Sequence, residues 1–145
     1  MGAIYEIPIP RTALVTTTDL VTFITPAGAA ARILGILLKF EETAAALCQI
    51  SVCRSTGGAT GSAPITPQPK NPKFAASTIV ANTAWTTQPT LGVILQRLTL
   101  NAVGSQAGGF FVVPAIIDVP PSAQVSIRSS SGTSNVSGYI LFEEI

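Results

Sequence analysis

Short runs of alternating apolar and polar residues recur from one end of the chain to the other, and sustained helical periodicity is hard to find. Successive side chains of a β-strand point to opposite faces, so a period of two predicts strands that are buried on one side. About eight such runs, separated by turns rich in Pro, Gly and Ser, favour a single-domain, all-β antiparallel sandwich or jelly roll spanning residues 1–145. The predicted strands are Ile4–Ile9, Leu20–Thr25, Ala31–Glu41, Leu47–Arg54, Thr90–Asn101, Phe110–Val119, Ala123–Ser129 and Ser137–Glu144.

The run Ala27–Phe40 has a second interpretation as a helix, because its alanines and leucines have high helix propensity. Gly28 and Gly35 weaken a helix, as do the β-branched residues Ile33 and Ile36. A long strand also fits the neighbouring segments better. We therefore expect a strand here, with the helix as the alternative.

The segment Gly138–Ile145 alternates bulky residues up to its last position. This pattern predicts a strand that is paired inside a sheet, because an unpaired terminus normally frays. The alternation divides the strand between two faces, with Ile140 and Phe142 on one and Tyr139, Leu141 and Glu143 on the other. We expect this strand to close the sandwich.

Residues 56–82 break the strand pattern with a glycine-rich stretch followed by four prolines. Because proline cannot donate to a central ladder, the segment is predicted to lie on the surface, as an extended arm or a loop that contacts a partner. Trp85 lies just beyond it and is predicted to anchor the loop to the body of the domain. The alternative for Trp85 is a platform for a partner or a sugar.

Charged residues make up only 10% of the chain, compared with about 25% in soluble domains, and the formal net charge is +1. Small neutral residues fill the difference, including 17 threonines and 12 serines. With few charges of either sign, repulsion between copies is weak and neutral surface can be covered by neighbours. We therefore expect a homotrimer.

The basic residues are scattered, and only Lys70 and Lys73 lie close together, in the proline-rich loop. Since phosphate binding requires clustered Lys and Arg, no nucleic-acid partner is expected. The most hydrophobic stretch, Ile33–Leu38, is far shorter than the roughly 20 residues that cross a bilayer. No membrane partner is expected either.

Histidine is absent from the sequence, which excludes a Ser-His-Asp triad, a Cys-His dyad and the usual zinc sites. Cys48 and Cys53 are five positions apart in one predicted strand, so their side chains should point to opposite faces and remain free thiols. Cys48 shares a face with Ile50 and Val52, and it is predicted to be a core residue.

Carboxylates could still supply a glycosidase pair. The candidates are Asp19, Glu41, Glu42, Asp118, Glu143 and Glu144. Adjacent carboxylates on one strand point to opposite faces, and charges commonly end half-buried strands, so the two Glu-Glu pairs are interpreted as solvated strand ends. The chain is predicted not to be an enzyme and to need no cofactor or metal.

Five segments, in order along most of the chain, carry a family resemblance. They are Ala3–Tyr5, Asp19–Pro26, Arg32-Ile33, the turn Arg54–Gly58 and the ending Gly138–Ile145. Together they resemble the jelly-roll decoration, or cement, proteins on the heads of tailed bacteriophages. The resemblance implies a non-enzymatic virion protein, made in the host cytoplasm, that clamps adjacent major capsid subunits on the outer capsid surface, often as a trimer. It implies no catalytic residues.

For such a protein we expect the capsid contacts to come from an N-terminal arm, residues 1–10, and from the loop 56–82. Both are rich in residues that stay extended, and an extended segment can add a strand to a neighbouring subunit. The compact sandwich would then face outward. The candidate contact residues are Ile4, Tyr5, Ile7, Pro8, Pro64, Pro67, Pro69, Lys70 and Lys73.

Two other classes of protein remain open. A phage fibre-tip or receptor-binding domain could have the same architecture, but a fibre normally carries a shaft-like repeat or coiled coil, and none is visible in the sequence. A carbohydrate-binding module would need several exposed aromatics beside carboxylates or amides. Trp85 is the one good candidate for that role.

Overall fold

The computed structural model describes residues 2–40, 47–58, 63–101, 111–113, 116–131 and 135–145, and over these ranges the chain is all-β. The described strands are β1 (Ala3–Ala13), β2 (Asp19–Ile24), β3 (Ala31–Phe40), β4 (Leu47–Thr56), β5 (Ala63–Ile65), β6 (Gln68–Pro69), β7 (Val80–Thr83), β8 (Thr90–Asn101), β9 (Phe111–Val113), β10 (Ile117–Val119), β11 (Gln124–Ser131) and β12 (Asn135–Glu144).

The strands form two antiparallel sheets that pack face to face. Sheet A has the order β10-β3-β12-β1-β6, with β9 also paired to β3, and sheet B has the order β5-β7-β2-β11-β4-β8. The main strands pair first with last and then inward along the chain: β1 with β12, β2 with β11, β3 with β9 and β10, and β4 with β8. Rolling up one long hairpin produces this nested pairing, which is the jelly-roll arrangement. The predicted fold class is confirmed.

The predicted strands lie close to the observed ones, with one division. Within the predicted run Phe110–Val119 the structure describes two strands, β9 and β10, and residues 110, 114 and 115 lie outside the described residues. The helical alternative for Ala27–Phe40 is wrong, since residues 31–40 form β3. Glu41, the predicted end of that strand, lies outside the described residues.

The long segment between β4 and β8 is more ordered than the sequence predicted. It contains β5 and β7, which extend sheet B beyond β2, and β6, which pairs with the outer edge of β1. Exposed strand edges carry backbone groups that need partners, and these short pieces satisfy them. The described part of the predicted arm or loop therefore pairs with one edge strand of each sheet.

The core lies between the two sheets and includes the final strand. Ile140 and Phe142 are fully buried, and Tyr139, Leu141 and Glu143 on the opposite face are only half-buried, which confirms the predicted alternation. The Phe142 ring stacks on Tyr5 at a centroid distance of 5.4 Å and meets Phe23 edge-on at 5.1 Å. Because Phe23 belongs to β2, this aromatic cluster joins sheet A to sheet B.

Candidate binding surfaces

The proposed N-terminal arm is an integral strand. Residues 3–13 form β1, which pairs with β12 on one side and β6 on the other. The side chains of Tyr5 and Ile7 are buried in the core, so they are unavailable as partner contacts. Pro8 is exposed and Ile4 is half-buried. The predicted strand Ile4–Ile9 is confirmed within β1, and its apolar face is buried in the chain instead of being left for a partner.

Burial, and to a lesser extent the negative charge of Glu144, raises the pKa of the Tyr5 phenol above its ordinary value of 10.0. Its hydroxyl donates to the carbonyl of Ala75 at 2.9 Å. Because the folded state holds this proton more tightly than the unfolded state, the stabilisation is complete below pH 10 and is lost as the pH rises towards the folded pKa.

We expect the melting temperature to fall as the pH is raised above 10, and Tyr5→Phe to flatten that fall. The variant loses one hydrogen bond, at a cost of about 1 kcal/mol, so its melting temperature at neutral pH should be slightly lower. Thermal denaturation followed by circular dichroism between pH 8 and 12 measures both effects. An equally steep alkaline fall in Tyr5→Phe would show that another group is responsible.

The segment that follows β6 is fastened across the edge of sheet A. The backbone N–H of Lys70 donates to the carbonyl of Ile4 at 2.9 Å, and its ammonium pairs with Glu6 and lies 5.6 Å from the centre of the Tyr139 ring. The Glu144 carboxylate accepts hydrogen bonds from the Ser77 hydroxyl (2.7 Å) and from residue 78. Glu144 therefore joins β12 to residues 77 and 78, whereas the sequence predicted a solvated strand end.

The exposed part of this segment is a turn formed by residues 70–76. Its shape is fixed locally, because the Asn71 side chain accepts from the N–H of Lys73 (3.0 Å) and the Asn71 carbonyl accepts from the N–H of Phe74 (3.0 Å). Phe74 is 42% exposed. The 70–76 turn therefore presents an aromatic ring beside a lysine in a defined conformation.

The structure separates the candidate contact residues of the loop. Lys70 and Lys73 lie in the 70–76 turn, whereas Pro64 is exposed on β5, Pro69 is half-buried on β6 and Pro67 is buried between them. Pro67 is therefore unavailable to a partner. The sequence analysis did not identify Phe74 as a contact residue. The signal that could have identified it is an apolar residue next to Lys73 in a proline-rich segment.

Trp85 makes the contacts that an anchor requires. Its indole N–H donates to the Thr22 hydroxyl at 2.8 Å, which joins the segment before β8 to β2. The ring lies against Gly58, where an added Cβ would sit 2.6 Å from a ring carbon, and Gly58 has a φ of +101° that favours glycine. The indole is thus held from two sides by the domain itself.

Trp85 also belongs to a buried polar network on the outer face of sheet B. The Thr22 hydroxyl, which accepts from Trp85, donates in turn to one oxygen of the Asp19 carboxylate at 2.6 Å. The Ser126 hydroxyl donates to the same oxygen. The other Asp19 oxygen accepts from Nε of Arg128 at 2.7 Å. Asp19 is inaccessible to solvent and the Arg128 side chain is 13% exposed. Asp19, one of the six carboxylates considered for a glycosidase pair, is therefore a buried carboxylate whose two oxygens are both hydrogen-bonded within the domain.

Two grooves flank the first half of β8. One has a volume of about 540 Å³ and is lined by Arg54 of β4, and the other has a volume of about 330 Å³ and is lined by Arg97 and Arg128. Leu91 and Gly92 line both grooves. The sequence did not single out this surface.

Groups that could carry out chemistry are sparse in the described ranges. They contain no group of three or more His, Cys, Asp or Glu side chains that could hold a metal ion. Cys53 is a free, buried thiol, and burial raises its pKa above the ordinary value although Arg128 and Arg97 oppose the rise. A thiol with a raised pKa is a weak nucleophile at neutral pH. The side chain of Cys48 lies outside the description.

No helix in the described ranges is long and apolar enough to cross a membrane. Comparisons of the chain with protein-family models, with curated proteins and with solved structures found no match.

Proposed function

We propose that this chain is a non-enzymatic virion protein that decorates and stabilises the capsid of a tailed bacteriophage by bridging major capsid subunits on its outer surface. Jelly rolls recur in virus shells, where the fold provides a rigid body, but the same fold also occurs in lectins and enzymes. The proposal therefore depends on the surfaces of this chain and on its sequence resemblance to decoration proteins.

The observation that carries the proposal is the 70–76 turn. A bridging protein needs a contact element that keeps its shape before binding, because ordering a loose loop costs free energy at the moment of association. The turn is fixed by Asn71, and the chain on either side of it is fastened to sheet A through Lys70 and Glu144. Its exposed Phe74 ring and Lys73 ammonium provide an apolar anchor and a charge for a capsid subunit.

The proposed assembly is a homotrimer, in keeping with the low charge of the chain. Three copies around one axis would present three 70–76 turns to three capsid subunits, and this multivalency would strengthen attachment. Native mass spectrometry should then report three chains per particle.

The alternative of a carbohydrate-binding module gains no support from Trp85. Its indole N–H donates to Thr22 and its ring contacts Gly58, which are the contacts of an anchor within the domain. A fibre-tip domain would share the fold, but no feature of the described residues favours it over a decoration protein.

Replacing Phe74 with serine should weaken binding to capsids that lack this protein by at least about tenfold, since buried aromatic anchors dominate interface energies. Co-sedimentation of the purified chain with such capsids measures the affinity. Surface substitutions are a sharper test than deletions, because removing residues 2–9 or 58–73 would take away β1 or both β5 and β6.

Val15→Ser is the matched control, because Val15 is also 42% exposed but lies in the turn after β1. Both variants should keep the melting temperature of the parent, and Val15→Ser should bind normally. If the two variants bind equally well, the 70–76 turn is not the attachment surface.

A further inference from the structure

β8 is a long strand at one edge of sheet B as the described residues form it. The other edges of the jelly roll are covered or short: β7 and β5 extend beyond β2, β6 lies beside β1, and β9 and β10 have three residues each. β8 has 12 residues and pairs with β4 on one side, and no strand in the described part of the chain pairs with its other side. An edge of this kind carries a row of backbone N–H and C=O groups that can pair with an added strand.

The first half of β8 is apolar and exposed. The exposed fractions of Leu91, Val93 and Ile94 are 38%, 69% and 46%. In the register with β4, Leu91 is opposite Ser55 and Ile94 is opposite Cys53, so a bulge turns consecutive side chains towards solvent. Natural edge strands are usually protected by lysine, proline or inward-pointing charge, and the sequence of β8 contains no lysine, proline or carboxylate.

The surroundings of β8 are positively charged. Sheet B carries three arginines, Arg54, Arg97 and Arg128, and one carboxylate, Asp19, which is already paired with Arg128. Arg54 and Arg97 form no ion pair with a carboxylate in the ranges described, and no carboxylate from those ranges lines either groove. The two arginines lie on opposite faces of sheet B, because Arg54 is opposite the core residue Val125 whereas Arg97 is opposite Ser51. No described carboxylate compensates the charge of either one.

We propose that the edge of β8 binds an extended segment of a partner protein that carries apolar side chains in one part and carboxylates in the next. The partner's backbone would add a strand to sheet B. Along the groove that Leu91, Ile94 and Arg97 line together, its apolar side chains would cover Leu91 and Ile94 and its carboxylates would pair with Arg97. The main-chain bonds give affinity, and the side chains that enter the groove give specificity.

A second copy of this chain is a poorer occupant. Antiparallel pairing of β8 with its own copy would bring the arginines of both copies to one interface, and β8 has no carboxylate to offset them. Like charges across an interface are costly. The proposal is independent of the capsid role, because it depends on the edge of β8 and the attachment test depends on the 70–76 turn.

The test uses the full chain, labelled with ¹⁵N, and two capped peptides of nine residues. In one peptide valines fill one half and glutamates the other, and in the second peptide lysines replace the glutamates. We expect the acidic peptide to cause saturable shifts in the backbone amide signals of β8 and to slow their hydrogen exchange. The lysine peptide should bind at least about tenfold more weakly, and salt should weaken binding of the acidic peptide because the contacts are partly exposed.

Three variants sharpen the test. Arg97→Glu should invert the preference between the two peptides, and Lys39→Glu, which alters an exposed basic residue on sheet A, should leave it unchanged. Val93→Lys should weaken both peptides without changing the melting temperature, because a lysine on an edge strand opposes pairing.

Equal binding of the two peptides to the parent chain, or amide shifts confined to another strand, would overturn the proposal. A second result would also overturn it: the β8 amides are protected from hydrogen exchange in the protein alone, and they lose this protection in a Val93→Lys variant that is monomeric. That result would show that the edge of β8 pairs with a second copy.

Discussion

Phe142→Ala is expected to lower the free energy of unfolding by about 3 to 5 kcal/mol. The Phe142 side chain is fully buried, and it contacts Tyr5 in sheet A and Phe23 in sheet B. Truncation removes the transfer free energy of the ring and leaves a cavity between the sheets that neighbouring strands cannot fill. Denaturation in urea, followed by circular dichroism, measures the loss as a lower midpoint at an unchanged slope.

Phe74→Ala is the control for this prediction, because it makes the same chemical change at a ring that is 42% exposed. Its effect should lie within about 0.5 kcal/mol of zero. Deleting residues 139–145 should prevent folding, since β12 lies between β1 and β3 in sheet A. A loss below about 1 kcal/mol for Phe142→Ala, or a folded product of the deletion, would contradict the place of β12 at the centre of the core.

Asp19→Asn is expected to cost about 3 to 5 kcal/mol, because it leaves Arg128 buried without a counter-charge. The carboxylate accepts hydrogen bonds from Thr22, Ser126 and Arg128. An asparagine supplies one acceptor oxygen where the site uses two, and its amide N–H groups would face donors. Urea denaturation again measures the change.

Two further variants distinguish the effect of breaking the buried Asp19–Arg128 pair from the effect of removing a charge at any site. Asp118→Asn breaks the exposed ion pair with Arg32 and should give no measurable change in melting temperature. The double variant Asp19→Asn, Arg128→Met should be destabilised by less than the two single variants combined, since removing both partners leaves no isolated charge. Additive losses would show that Asp19 and Arg128 act independently.

The period-two pattern was sufficient to predict the main strands and the all-β sandwich because it is the local sign of one-sided burial. It correctly assigned Ile140 and Phe142 to one face of β12 and Tyr139 to the other. It did not predict β6, which has two residues and exists only because the edge of β1 needs partners. Pairing of that kind depends on which strands come together in three dimensions.

The same limit explains the buried polar residues. The sequence does not show that Asp19 is buried, because its side chain is covered by contacts with distant segments and with Thr22, which accepts a hydrogen bond from Trp85. Cys53 was predicted to face away from the core residues Ile50 and Val52, yet all three are buried. The sequence contains the alternation of one strand and no sign that part of the outer face of sheet B is buried as well.

The candidate binding surfaces were only partly predictable. Lys70 and Lys73 were identified from composition, and the structure places both in the 70–76 turn, but it commits the Lys70 ammonium to Glu6. The β8 surface was missed because its signal is the absence of edge protection, and an edge is recognised only when the strand order is known.

The most direct test of the proposed function is a quantitative protein inventory, by mass spectrometry, of purified virions that encode this chain. A decoration protein should be present in many copies, at a fixed ratio to the major capsid protein, and should be released by treatments that leave the shell intact. Absence of the chain from purified virions, or a few copies that separate with the tail, would contradict the proposal and would favour a fibre-tip domain in the second case.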